Sequence, residues 1–304
     1  MKATITPSEL QSILEQREVA LIDILTPEDY DEVHIRGARN ACVYEMVFLD
    51  RIRELIPGKD SLIVVYDASG TTLTAQTAAV KLERAGYCNV AILAGGREAW
   101  LKAGYPVVRA EGKTGVEEMI QDGVYRVDLE NSSLVWSGRN ISKRHHGTID
   151  LSGGQVVFDN GKLKSGSFSL DMHTITNLDL QDDNWRAVLH RHLMSDDFFY
   201  VERYPTVDFE LKGAALIAGA TPGSPNVEIA GTLTIKDTAR PLCFPAVVAR
   251  QDDGSIKAHA VLDFDRTLWN VSYGSGKLFE RLGMHLVHDL ISIELFIVAR
   301  PIND

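Results

Sequence analysis

The hydrophobic period of the chain changes once, near residue 110, and no other feature constrains the fold as strongly. Up to about residue 107, short β-rich apolar runs alternate with segments whose apolar residues recur at helical spacing, which is how βαβ units and a parallel sheet are written. Beyond about residue 124 the period is two, as in half-buried antiparallel strands. A chain of 304 residues with two such halves is expected to form two domains, 1–108 and 124–304. The stretch between them, RAEGKTGVEEMIQDG over 109–123, is charged, carries internal glycines and reads as a linker.

In the first half the clearest strands are Val19–Ile24, Leu62–Tyr66 and Val90–Leu93. Between the last two, Ala75, Ala78, Ala79 and Leu82 share one helical face and Gly86 follows as a stop, so a helix is expected over about 73–85. Leu14, the stretch Glu45–Ile56, and the residues after Gly95-Gly96 through Trp100 and Leu101 supply further helical pattern. This half is expected to be α/β.

In the second half, 167–172 and 207–212 alternate apolar and polar, and further strands read at 227–235, 242–250, 257–264 and 290–298. Gly153-Gly154 and Asn160-Gly161 read as turns, Asn-Gly being the strongest hairpin cue. One helical interruption runs from Asp183 to about Met194, followed by Phe198, Phe199, Tyr200 and Tyr204. Roughly eight antiparallel strands suffice to close a barrel around one small ligand.

A net charge of −11, with no Lys/Arg block longer than Lys143-Arg144, argues against binding nucleic acid or an anionic membrane by bulk electrostatics. No segment approaches the roughly 18 to 20 apolar residues of a membrane helix, so no membrane insertion is expected. Cys42, Cys88 and Cys243 form no CxxC pair and no disulfide framework, which fits a reducing compartment. Cys42 and Cys88 are expected to be small buried packing residues. The start MKATITPSELQSILEQ lacks the apolar core of a secretory signal, so a cytoplasmic location is expected.

Several spaced motifs over residues 5–108 resemble a rhodanese domain: Glu28-Asp29-Tyr30, His34-Ile35, Gly37-Ala38 with Asn40, VVYDASGTT, and AGGREAWLKAGYPV. The resemblance implies a nucleophilic cysteine directly after the VVY strand end, where backbone N–H groups stabilise a thiolate. Asp67 stands there, followed by Ala68, Ser69, Gly70, Thr71 and Thr72, with no arginine to hold an anionic substrate. A carboxylate cannot form a persulfide, so sulfur transfer and catalytic residues are not expected in this loop. Asp67 is expected to cap its own loop amides. The domain is then expected to bind a protein partner or to regulate the second domain.

Residues 124–300 resemble the YceI-like family of lipocalin-like barrels in YRVDLENSSLVWSGR, HHGTIDLSGGQVVFDNGKLKSGSFSLDMHTI, HRHLMSDDFFYVERYPTVDFE, GTLTIKDTARPL and YGSGKLFERLG. The resemblance implies an antiparallel β-barrel binding a long-chain isoprenoid or other lipid-like molecule. Trp136, Phe158, Phe168, Phe209, Phe244, Phe264 and Trp269 lie on or beside the candidate strands and are expected to line it. Phe198, Phe199 and Tyr204 are expected to form a lid or wall, and His146 and His192 to orient a ligand head group. His145 and His146, adjacent on a strand, face opposite ways, and His190 and His192 also diverge. With no HExxH-type spacing, no metal or cofactor is expected. Two other functions remain open: an enzyme or metal-dependent protein using barrel histidines on a quinone-like or thiol substrate, and an interaction scaffold whose barrel is filled by its own side chains.

Overall fold

The computed structural model describes residues 3–110 and 120–302, and the chain divides into two units, Met1–Glu117 and Glu118–Asp304. Of the expected linker, residues 111–119 lie outside the described residues.

The first unit runs β1 (Ala3–Ile5), α1 (Pro7–Gln16), β2 (Ala20–Asp23), α2 (Pro27–Glu32), β3 (Val33–Ile35), β4 (Arg39–Asn40), α3 (Phe48–Leu55), β5 (Ile63–Tyr66), α4 (Thr74–Arg84), β6 (Val90–Leu93), α5 (Gly96–Lys102) and β7 (Val107–Arg109). Five of its strands form a parallel sheet in the order β1-β6-β5-β2-β4, while β3 and β7 pair separately and antiparallel. Every residue of β5 and β6 is buried, because helices cover both sheet faces and a continuous apolar run is what such a strand requires. The helical face of Ala75, Ala78, Ala79 and Leu82 is buried as its spacing indicates. At α1 the Thr6 hydroxyl accepts from the Glu9 N–H while the Glu9 carboxylate accepts from the Thr6 N–H, a reciprocal cap. Cys42 is buried, whereas Cys88 is exposed: it precedes β6 in a loop, its thiol 3.7 Å from the Gly86 carbonyl, so packing does not explain it.

The second unit runs β8 (Gly123–Val127), β9 (Ser133–Arg139), β10 (Arg144–Thr148), β11 (Asp150–Asp159), β12 (Lys162–Asp171), α6 (Asp183–Met194), β13 (Thr206–Leu216), β14 (Val227–Ile235), β15 (Thr238–Arg250), β16 (Ile256–Asp265) and β17 (Leu290–Pro301). Its antiparallel ladder follows chain order from β11 to β17, and β17 then pairs with both β8 and β9 on one edge, closing the ring. Because β8 and β9 share one edge of β17 and pair in turn with β11 and β10, β8 with β9 and β10 with β11 act as two broken staves, and the barrel has eight staves. Ser132 bridges the break by exchanging hydrogen bonds with the Val298 backbone. Asn160 and Gly161, at φ of 54° and 68°, make the tight β11–β12 turn.

Gly153-Gly154 is not a turn. Both residues lie inside β11, next to a bulge between Leu151 and Gly153. A Cβ on Gly154 would stand 2.7 Å from Val127 Cγ2, so the glycine serves close strand packing.

Candidate functional site

Alternation along the staves sends one set of side chains inward, and the barrel interior is a cavity of about 330 Å³. Its walls are mostly aliphatic, with Ile291, Ile293, Leu295 and Ile297 of β17 forming one continuous stripe. Phe209 lies across Gly231, where a Cβ would come within 2.3 Å of its ring. One end is shut by Tyr125, Val156, Phe158, Ile256 and Ala299, all buried. The other is framed by the β9–β10 hairpin, α6 and the 266–289 segment, which contribute Arg139, Asn140, Lys143, His145, His192 and Tyr273 to the lining. Lys143 is the one exposed side chain of the described lining, which places the opening at this end. Among the described residues no Asp or Glu lines the cavity, although the chain has 42 of them.

Nine of the aromatic and histidine residues singled out from the sequence line this space: Trp136, Phe158, Phe168, His192, Phe198, Phe199, Phe209, Phe244 and Phe264. Three do not. Tyr204 lies outside, its hydroxyl donating to Asp237 over 3.2 Å. Trp269 backs Phe264 edge-on at 5.2 Å and donates its indole N–H to the Leu233 carbonyl, so it packs behind the wall. His146 turns away from the lumen and its neighbour His145 takes the inward place. Both imidazoles nevertheless approach Asp179, with Nδ1 of His145 at 2.9 Å and of His146 at 3.6 Å, because the 176–180 segment pairs along the edge of β10. Burial works against the Asp179 anion, but hydrogen bonds from the His146 N–H, His145 and Asn177 outweigh it and hold the carboxyl below its usual range.

At the opening, His192 meets Phe198 and Tyr273 edge-on at 4.9 and 4.4 Å. Arg266 is buried beside them, donating to the carbonyls of His288, Val271, Tyr273 and Val287 at 2.5 to 3.2 Å. Burial lowers its pKa from the ordinary arginine value, and its donors tie the 271–288 segment across the barrel end. Sequence reasoning missed Arg266, Tyr273 and the aliphatic stripe. A lone arginine whose partners are backbone carbonyls leaves no motif, and period-two spacing does not say which face points inward. Among the described residues no group of three His, Cys, Asp or Glu is placed to hold a metal ion, and no helix is long and apolar enough to cross a membrane.

In the first unit, Asp67 follows β5 and is buried. Its Oδ1 accepts from the Gly70 N–H at 2.6 Å and its Oδ2 from the Thr72 hydroxyl at 3.3 Å. The carbonyls of Asp67 and Ala68 accept from the N–H groups of Arg97 and Glu98, both at 2.8 Å, which docks the loop on the start of α5. Gly96 permits that approach, since a Cβ there would lie 2.5 Å from the Asp67 carbonyl oxygen. The carboxylate closes its own loop and does not cap α4, whose N-terminal residue Leu73 makes no side-chain cap. Arg97 turns elsewhere, to Asp29 at 2.5 and 3.1 Å and to the Val33 carbonyl. Burial opposes its charge, yet the Asp29 bonds prevail and its pKa is raised. Beside the loop, Tyr44, Met46, Val47 and Leu73 are exposed, and the Tyr44 and Thr74 hydroxyls are 2.9 Å apart.

The chain is 28% identical to Escherichia coli YibN over 107 residues, which span 35% of this chain and 73% of that protein. Among solved structures, Burkholderia cenocepacia BcnA is 24% identical and covers 57% of this chain and 98% of its own, at a TM-score of 0.45. A polyisoprenoid binding domain from Saccharophagus degradans is 12% identical and covers 60% and 99%, at a TM-score of 0.43. The rhodanese-like domain model matches residues 6–103 and the YceI-like domain model matches residues 125–299. With more than half its length matched by the latter, the chain belongs to the YceI-like domain family and carries a rhodanese-like domain ahead of that region.

Proposed function

We propose that the barrel binds a long apolar molecule of the isoprenoid or a similar lipid class, and that the rhodanese-like domain is catalytically silent and recognises a partner protein. The observation that carries the first part is an aliphatic and aromatic cavity with no carboxylate in its walls and polar groups only at its open end. Burial of an apolar chain in such a space is driven by the area it removes from water. The volume lies near the lower edge of the roughly 300–1,000 Å³ usual for ligand pockets. His145, His192, Asn140 and Tyr273 are placed to meet the polar end of the ligand. For the second part, the Asp67 carboxyl already occupies the Gly70 N–H and the Thr72 hydroxyl, which disfavours an anionic sulfur donor there. The exposed Tyr44, Met46, Val47 and Leu73 then offer a surface beside a closed loop.

The test is mass spectrometry of the full chain purified without detergent, under native and denaturing conditions. A released apolar molecule, absent from a variant in which Ala258→Trp fills the lumen, is the expected result. An empty wild-type barrel that takes up no isoprenoid alcohol overturns the reading. Thiosulfate-to-cyanide sulfur transfer is expected at background, and robust turnover by the wild type overturns the second part.

A further inference from the structure

We propose that the open end of the barrel is a docking surface for an anionic lipid bilayer, across which the cavity exchanges its ligand; this rests on the barrel carrying an apolar ligand. Such a molecule has negligible solubility and must be handed over where the opening meets another apolar phase. The three segments that frame the opening carry large apolar side chains turned to solvent. Ile141 at the tip of the β9–β10 hairpin is 89% exposed and Met284 in the 271–289 segment is 90% exposed. Trp185 on α6, and Leu278 and Phe279, are also exposed. The His288 N–H donates to the Arg139 carbonyl and joins two of these segments, and the Leu178 N–H donates to the His146 carbonyl and fastens the stretch ahead of α6 to the hairpin.

Local charge selects the partner. Between residues 138 and 146 the hairpin has Arg139, Lys143 and Arg144 and no carboxylate, in a chain whose net charge is −11. Neither these cations nor Arg281 forms an ion pair among the described residues, whereas Lys277 is held by Asp265 and Asp289. At physiological salt, charges more than about 8 Å from a contact are screened, so an approaching surface meets the hairpin and not the whole acidic molecule. Apolar tips with unpaired cations behind them match a headgroup layer, into which such side chains sink about 5–10 Å. They are carried on three separate segments around an opening.

Flotation of the full chain with vesicles of phosphatidylcholine plus phosphatidylglycerol, against phosphatidylcholine alone, tests this. Wild type is expected to float with the anionic vesicles. Ile141→Asp combined with Met284→Asp is expected to lower the bound fraction by about tenfold or more, and Arg144→Gln with Arg281→Gln by about tenfold on anionic vesicles alone. Leu216→Asp, at a site 74% exposed near the closed end, is expected to float as wild type does. Wild type that ignores anionic vesicles overturns the proposal and assigns the rim to a protein partner; an Ile141→Asp/Met284→Asp protein that floats normally also overturns it. Mass spectrometry of the same preparations separates the two readings. A protein that floats but neither carries nor takes up an apolar molecule refutes the carrier, and one that takes up ligand from solvent but never floats refutes docking alone.

Discussion

At Asp67 a carboxylate occupies the turn after β5 and fastens the loop onto itself. The carboxylate satisfies the Gly70 N–H that a thiolate or bound anion would otherwise face. Replacing it with alanine removes the acceptor of two part-buried hydrogen bonds, and urea denaturation is expected to show a loss of about 1 kcal/mol. Asp67→Cys is expected to leave sulfur transfer at background, because no arginine stands in Ala68–Leu73 to hold the donor anion; a robust thiosulfate-dependent rate in this variant counts against the account. At this scale the sequence was legible where backbone conformation depends on residue type, as at the Asn160-Gly161 turn. It was misleading at Gly153-Gly154, because a glycine needed for close strand approach and one needed for a positive φ are written alike. Cys88 was misplaced because residue type reports packing only on average.

Among the elements, the segment from Val271 to His288 has little regular structure, and one side chain, Arg266, bonds four of its carbonyls. Arg266→Met removes all the donors to its four carbonyls, and a loss of about 3 kcal/mol in chemical denaturation is expected. Arg266→Lys is expected to rescue little, since a point ammonium cannot reproduce the guanidinium fork. The 176–180 segment is held instead by an anion. The folded-state pKa of Asp179 lies below its unfolded value, so its stabilisation is present above the ordinary aspartate range and is lost as pH falls through the lower folded value. Exchange of the Leu178 amide, bonded to the His146 carbonyl, is expected to stay slow from pH 7 to pH 5 and to accelerate below about pH 4. In Asp179→Asn that step is expected to vanish. Neither tether was readable beforehand: one ends on carbonyls common to every residue, and the other joins histidines to an aspartate more than 30 positions away.

At the level of the whole molecule, the change of period near residue 110 forecast a parallel sheet followed by an antiparallel barrel, and β14 and α6 occupy the spans read from their patterns. The break of the opening stave into β8 and β9 was not forecast, because it depends on both halves finding the same edge of β17. We expect residues 120–302 to fold without the rest and to retain the ligand, since their ring closes within itself; an insoluble or ligand-free fragment counts against this. In the intact chain, Ala258→Trp is expected to abolish uptake of an isoprenoid alcohol while leaving the thermal midpoint equal or higher, as filling a void compensates for the added bulk. The seal of Tyr125, Phe158 and Ile256 at one end gives the lumen a direction. On the proposed function, a linear ligand would enter this blind tube tail first and stop where the tube stops, so the barrel would measure its cargo: chains up to one length would disappear inside, and every longer one would leave its remaining units and its functional group outside.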